Sequence, residues 1–260
     1  NQTIAHNTLV VGRESQYQGI DSDADKGSSH LIFEEFSDSL NVIVAMDSSA
    51  YEGATLMRYH MLLRTDGYDY LIDVQSLRSD EKVEVDAPFY FNEHLVYSAP
   101  KISYYEDNLT SFGDRNGYQH LWKEGSALES LSSTHTWQSG TGFISMNQSA
   151  LMPFTTYAVT VGANDPNNNL HGTKGLILRT AEAVDHQAIC TVFEKHGHYD
   201  PVFETTGNAY SGVSNLKLSA VDGAYIIAFK ANDRDIDVSF SQSLTAQSRP
   251  ILTIKRIENE

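Results

Sequence analysis

The stretch TYAVTV, residues 156–161, places Tyr157, Val159 and Val161 on one side of an extended chain and Ala158 and Thr160 on the other. Because successive side chains of a strand point to opposite faces, this period of two predicts a β-strand. Similar β-rich runs occur along the whole chain: NVIVAM (41–46), KGLILRT (174–180), AICTVFE (188–194), NLKLSA (215–220), AYIIAFKA (224–231) and ILTIKRI (251–257).

Turn residues separate several of these runs. Asp66-Gly67 lies within RTDGYDYLIDV (64–74), Asp222-Gly223 lies between two further runs, and Asn116-Gly117 forms a third pair of this kind. Such pairs suit the positive φ angles of tight hairpin turns. No amphipathic helix of several turns is predicted, and only GSALESLSS (125–133) suggests a short helix. We therefore expect an all-β fold, a large antiparallel β-sandwich, in a single domain over residues 1–260.

Charge and cysteine content exclude several classes of function. The formal net charge of the 260 residues is −16, which predicts repulsion from nucleic acids and from anionic membranes. No apolar run is long enough to span a bilayer. Cys190 is the only cysteine, so an intrachain disulfide is excluded, and its strand-like surroundings predict a buried, unreactive thiol.

The stretch EKHGHYDP contains the most conspicuous candidate for a metal site. His196 and His198 are two residues apart and Asp200 follows, so on a regular strand all three side chains would share a face and could bind zinc. Gly197 and Pro201 favour a turn instead, in which these residues are ordinary turn residues.

Two other sets of candidate ligands remain open from spacing alone. His60, Asp73 and His94 form one set; hairpin pairing would bring the first two together, although outward-facing polar residues are the preferred interpretation. His6, in AHNTLVV, is either a metal ligand or a histidine that bonds its neighbours at the start of a strand.

Five stretches resemble the heparinase II/III-like polysaccharide lyases, and most closely the oligoalginate lyases of polysaccharide lyase family 17. The resemblance extends from Gln2 to about Ser211. The stretches follow in the family's order: QTIAHNTLVVGRESQ (2–16), SSAYEGATLMR (48–58), NGYQHLWKEG (116–125), VGANDPNNNLHGTKGLILR (161–179) and CTVFEKHGHYDPVFE (190–204).

The resemblance implies an architecture of an N-terminal (α/α) toroid followed by a β-sandwich, of which this chain matches only the sandwich. It implies β-elimination on a uronic acid polymer such as alginate, with the catalytic residues upstream of this chain. It also implies a zinc ion, for which His6 is the one ligand with a counterpart here, whereas the KHGHYDP segment has no metal role. We therefore expect a fragment that is inactive alone and that partners an N-terminal toroid domain.

Two alternatives remain open. The chain could belong to a glycosaminoglycan lyase of the heparin or heparan type, or it could be a non-catalytic sandwich that binds carbohydrate through some of its fourteen tyrosines. For a lyase we expect a periplasmic or secreted bacterial protein. Whether the protein forms a homo-oligomer is left open by the sequence. Arg13, Arg58 and Arg64 are available to bind an acidic polysaccharide.

Overall fold

The computed structural model describes residues 2–65, 67–106, 109–162, 173–242 and 250–256. These residues form strands almost throughout. The first ten strands are β1 Val10–Val11, β2 His30–Glu35, β3 Leu40–Asp47, β4 Ala54–Thr65, β5 Tyr68–Val83, β6 Val85–Phe91, β7 His94–Ala99, β8 Ser103–Tyr104, β9 Thr110–Ser111 and β10 Leu121–Ser126.

The later strands are β11 Ser130–Ser139, β12 Gly142–Val161, β13 Lys174–Thr180, β14 Val184–His196, β15 His198–Asp200, β16 Thr205–Gly207, β17 Val213–Val221, β18 Ala224–Ala231, β19 Arg234–Ser241 and β20 Ile251–Arg256. The described helices are short: α1 is Asp21–Ala24, and 3₁₀ turns occupy Thr3–Ala5, Gln16–Gly19 and Tyr118–His120. No described helix has the length and apolar character needed to cross a membrane.

One large antiparallel sheet organises the chain. Its main path runs β1-β6-β13-β12-β14-β5-β4-β3-β2. Strand β12 has 20 residues and serves two sets of neighbours, because its first half pairs with β11 and β14 while its second half pairs with β10 and β13. Strand β7 extends the sheet beyond β11, and β8 and β9 pair with β10.

A second antiparallel sheet, β17-β18-β19-β20, packs against one face of the large sheet. Tyr59, Ile72 and Val192 of the large sheet share a buried core with Ile227 and Val238 of the small one. These side chains are fully buried, and the hydrophobic effect favours this contact. The predicted all-β sandwich is therefore confirmed.

The opposite face of the large sheet contributes to a separate core. Cys190 belongs to the first core, whereas its neighbour Ile189 packs with Leu77, Met146 and Trp137 in the second. A third cluster attaches the N-terminal segment to the sheet, since it joins Ile4 and Val10 to Tyr118, Val159 and Ile177. Alternation along the strands thus buries both faces of the large sheet.

Most local expectations are confirmed and one is wrong. Asp222 and Gly223 have φ angles of 50° and 76° and connect β17 to β18, as the turn chemistry predicts. Asp66 of the first predicted turn lies outside the described residues. Residues 125–133 do not form the suggested helix: they end β10 and begin β11, because pairing with β12 satisfies their backbone groups there.

Candidate functional site

The N-terminal segment presents His6 to solvent. A 3₁₀ turn at Thr3–Ala5 buries Ile4, whose side chain is 1% exposed and whose carbonyl oxygen accepts a hydrogen bond of 2.7 Å from the Tyr90 hydroxyl. His6 follows in an extended conformation and is exposed, with its backbone N–H bonded to the Thr3 carbonyl. The imidazole therefore points away from the sandwich interior.

Asn7 is held by two strands that are distant in the sheet. The Tyr90 backbone N–H of β6 donates to Asn7 Oδ1 at 2.9 Å, and Arg58 Nη1 of β4 donates to the Asn7 carbonyl oxygen at 2.9 Å. Four strands separate β6 from β4, so on a flat sheet they would lie about 24 Å apart. Because both reach Asn7, the sheet must curve, and Arg58 lies on its concave face.

A buried carboxylate fixes Arg58. The Asp73 carboxylate is 2% exposed and accepts two bonds from Arg58, of 3.0 Å from Nε and 2.9 Å from Nη2. Gln75 Nε2 lies 3.4 Å from Asp73 Oδ2, and His60 Nδ1 lies 3.7 Å from Oδ1. Burial lowers the pKa of His60 below its ordinary value, because the attraction of Asp73 compensates only in part. The His60 ring is therefore neutral at neutral pH.

A row of polar side chains continues from Asp73 across the concave face. Strand register places Thr191, Gln148 and Ser133 successively beside it on β14, β12 and β11. All three are buried, with Ser133 Oγ donating to Gln148 Oε1 at 2.9 Å and Gln148 Nε2 lying 3.4 Å from Thr191 Oγ1. The base of the concave face is therefore a buried, hydrogen-bonded row of polar side chains.

An apolar row runs beside the polar one. Register aligns Leu62, Leu71, Phe193 and Met146 across four strands, and Leu71 is 42% exposed. A cleft of about 160 Å³ next to this row is lined by Asn7, Phe89, Tyr90, Phe91, Glu93, Trp137, Ile144, Met146 and Phe193. The concave face thus combines polar and aromatic surface close to Asn7, which is the lining typical of ligand sites.

A second cleft, of about 350 Å³, has His6 in its wall together with Asp21 and Asp47. Burial alone would raise the pKa of Asp47, but hydrogen bonds from Ser49, Ala50 and Tyr17 outweigh it and lower the pKa. The carboxylate of Asp47 is therefore ionised and already satisfied by these donors.

The fit of zinc to this region is partial. Within the described residues the His6 ring makes no hydrogen bond or ion pair, so its nitrogens are accessible to a metal. No group of three or more His, Cys, Asp or Glu side chains among the described residues is arranged to hold a metal ion. These residues can supply His6 as one ligand, but they do not complete a site.

Two curated proteins match the chain over nearly its whole length. The exo-oligoalginate lyase of Saccharophagus degradans is 31% identical over 238 residues, covering 89% of this chain and 32% of that protein. The alginate lyase of Stenotrophomonas maltophilia is 29% identical over 239 residues, covering 88% of this chain and 31% of that protein. This chain is a homologue of part of these alginate lyases. It spans about a third of their length.

Two solved structures are similar in fold to this alginate lyase homologue. A heparinase III structure has a TM-score of 0.51 at 10% identity and covers 97% of this chain and 30% of its own. Heparan sulfate lyase HepC from Pedobacter heparinus has a TM-score of 0.50 at 10% identity and covers 100% of this chain and 31% of its own. Identities this low show the fold alone. No family model matches the chain.

Among the residues that the structure describes, EKHGHYDP is not part of a group of side chains arranged to hold a metal ion. His196 is bonded on both sides, with Nε2 2.7 Å from Ser145 Oγ and Nδ1 2.8 Å from the Asn208 carbonyl. Gly197 has a φ of 68° and ends the strand, so the side chains do not alternate regularly across it. Asp200 Oδ1 accepts bonds from two backbone N–H groups of the following turn. The turn expected for this segment begins only at Pro201, because His196 ends β14 and His198–Asp200 form β15, which pairs with β16.

Of the candidate ligands His60, Asp73 and His94, the structure brings only the first two together. His60 pairs with Asp73 in the β4–β5 hairpin, as expected, whereas His94 lies on β7 and is exposed. The expectation that all three face outward is wrong for Asp73, which is buried. The physical reason is that the guanidinium of Arg58 folds over the carboxylate and neutralises it.

The remaining candidates have the following environments. Cys190 is fully buried, which raises the pKa of its thiol far above the ordinary value, so the predicted unreactive role is supported. Arg13 pairs with Glu84, and Arg64 is exposed without a side-chain partner among the described residues. The GANDPNNNL motif falls largely on residues 163–172, which lie outside the described residues.

The arrangement around Asn7 does not follow from the sequence patterns. The sequence offers Arg58 only as a free cation and connects neither Asp73 nor Tyr90 with His6. One signal was available, because a hairpin predicted across Asp66-Gly67 would place Arg58 and Asp73 diagonally on one face, and the β4–β5 register has this arrangement. The contact of both strands with Asn7 required the curvature of the whole sheet.

Proposed function

We propose that this chain is the β-sandwich part of a lyase that cleaves uronic acid polymers of the alginate type by β-elimination. The observation that carries the proposal is the alignment of nearly nine-tenths of the chain with two alginate lyases at about 30% identity. The likeness to heparinase III and to a heparan sulfate lyase concerns the fold, and therefore does not favour a glycosaminoglycan substrate.

The chemistry of β-elimination limits what this chain can contribute. The substrate carboxylate must be neutralised, a base must remove the proton at C5, and the glycosidic oxygen at C4 must leave. Preorganised donors near the carboxylate lower the barrier most, because charge accumulates there as the proton leaves. The resemblance implies that the base and the neutralising residues lie outside this chain. The sandwich alone is therefore expected to be inactive.

We assign His6 the role of one zinc ligand in the intact lyase. Its ring is exposed and has no hydrogen-bond or ion-pair partner in the described part of the chain, which supports this role, and an imidazole nitrogen is a common zinc ligand. The other ligands would come from outside the described residues, and a helical toroid is the partner that the resemblance implies. When bound, zinc would supply structural order at the edge of the concave face. A periplasmic or secreted location completes the proposal.

An assay with alginate oligosaccharides tests the proposed activity. The purified chain and the protein produced from the complete coding sequence are each mixed with alginate oligomers, and the ultraviolet absorbance of the unsaturated product is followed. We expect turnover by the complete protein and none by the chain alone. Heparan sulfate serves as the second substrate. Cleavage of heparan sulfate in place of alginate would reject the substrate assignment, and steady turnover by the homogeneous chain would reject its inactivity.

Metal analysis tests the role of His6 separately. His6→Ala in the complete protein should lower the zinc content, measured by atomic emission, while His94→Ala should leave it unchanged. His94 is a suitable control because it is also exposed, but it lies on β7, whereas His6 lies in the N-terminal segment. Equal zinc content in the two variants would show that His6 is not a ligand.

A further inference from the structure

We propose that Arg58 and Asp73 are positioning residues that hold His6 at a fixed place on the edge of the concave face. The inference rests on the proposed function in one respect, since a fixed His6 matters for zinc binding. The hydrogen bonds that hold the His6 segment depend only on contacts within this chain. The bond from Arg58 to Asn7 joins residues that are 51 positions apart in sequence, so it forms only in the folded sheet.

The donors of Arg58 are directed by the buried carboxylate. A guanidinium is planar and rigid, and its two bonds to Asp73, at 3.0 and 2.9 Å, fix the plane of the group. The third bond, from Nη1 to the Asn7 carbonyl at 2.9 Å, follows from that orientation. Because Asp73 is 2% exposed, water competes little for its oxygens. Arg58 is thus a preoriented donor rather than a mobile surface cation.

Tyr90 binds the same N-terminal segment from a second strand, β6. Its backbone N–H binds Asn7 Oδ1 at 2.9 Å and its hydroxyl binds the Ile4 carbonyl at 2.7 Å. The Ile4 side chain is buried in the cluster with Val10 and Tyr118. The chain is therefore attached immediately before and immediately after Ala5 and His6. The backbone that carries the imidazole is fixed while the ring remains accessible.

Positioning of this kind affects metal affinity. Residues that orient a ligand are typically worth about 10- to 100-fold in affinity, because a mobile ligand must be ordered when the metal binds. Arg58→Lys retains the positive charge, but an ammonium group cannot form the paired bonds to Asp73 together with the bond to Asn7. Asp73→Asn retains the shape of the side chain and removes the charge that orients the guanidinium.

Amide hydrogen exchange in the chain itself measures the restraint directly. We expect exchange in a peptide covering residues 4–8 to accelerate by about 10-fold or more in Arg58→Lys and Asp73→Asn, because local opening becomes easier. Tyr90→Phe removes only the hydroxyl bond to Ile4 and should give a smaller acceleration in the same peptide. Arg64→Lys is the matched control, since Arg64 lies exposed on the same strand.

The pattern of exchange separates positioning from general destabilisation. Acceleration confined to residues 4–8, with protection of β12 and β14 unchanged, supports the proposal. Uniform acceleration along the chain, or no difference from Arg64→Lys, overturns it. Tyr90→Phe keeps the buried ion pair intact, so it remains informative if the Asp73 variant does not fold.

Zinc affinity of the complete protein provides the second measurement. Arg58→Lys should weaken zinc binding by about 10- to 100-fold relative to Arg64→Lys. Equal affinities would overturn the positioning role. If the complete protein binds no zinc and cleaves no alginate, the proposed function fails, and the exchange experiment alone then decides whether Arg58 and Asp73 restrain the His6 segment.

Discussion

His135 makes the stability of this fold depend on pH. The side chain lies on β11 between Ser98 of β7 and Met146 of β12, and it is 0% exposed. Neither ring nitrogen has a hydrogen-bond partner among the described residues, and the centroid of the His135 ring lies 6.1 Å from that of the Trp137 ring. Burial lowers the pKa of His135 to about 4, so the ring is neutral in the folded protein.

The sign and size of the effect follow from proton linkage. An unfolded histidine has a pKa of about 6.5, so between about pH 6.5 and about pH 4 the unfolded chain binds more protons than the folded one. Stability is therefore complete above the unfolded pKa and is lost as the pH falls. At about 1.4 kcal/mol per pKa unit, His135 should cost about 2 kcal/mol between pH 7 and pH 5, and about 3 kcal/mol in total.

Urea unfolding at about pH 7 and about pH 5 measures this cost, with circular dichroism as the signal. His135→Leu removes the titrating group and keeps an apolar side chain in the buried site. Burial also lowers the pKa values of His60 and His186, so the wild type should lose more than His135 alone explains. The difference between wild type and His135→Leu isolates the contribution of His135. If both proteins lose the same free energy of unfolding between the two pH values, the reasoning is refuted.

Three further results are expected from the buried residues. Asp86→Asn should lower the free energy of unfolding by about 1.5–3 kcal/mol, because it weakens the two 2.8 Å bonds that the Arg179 guanidinium donates to the Asp86 carboxylate and leaves Glu84, 3.2 Å away, as its remaining acidic partner; a loss below about 0.5 kcal/mol in urea would contradict this. Ile227→Ala, between the two sheets, should cost about 2–5 kcal/mol by the same assay, and an unchanged midpoint would argue against this packing. Cys190 should resist a thiol reagent in the native protein and react fully in denaturant, so rapid native labelling would disprove its burial.

The sequence by itself determined the local elements. Alternation within residues 156–161 and 224–231 predicts strands because side-chain direction depends only on neighbouring residues, and Asp222-Gly223 predicts its turn because few residue pairs tolerate two positive φ angles. Motifs such as AHN also indicated the related proteins without the structure, because the order of motifs along the chain is a property of the sequence alone.

Local reasoning failed wherever distant residues decided the outcome. EKHGHYDP has the spacing of a metal site, yet Ser145 and Asn208 occupy both nitrogens of His196. The composition of residues 125–133 suggests a short helix, yet strand pairing with β12 determines the conformation at both ends of this stretch. In each case the energy of a long-range contact exceeded a weak local preference.

Only the tertiary structure decided what surrounds His6. Arg58 and Tyr90 reach Asn7 from 51 and 83 positions away, and they do so because the large sheet curves between β6 and β4. Curvature results from the order of strand pairing and from packing on both faces of the sheet, and no segment contains that information alone. The sequence could name the histidine, but the folded sheet determines which groups hold it in place.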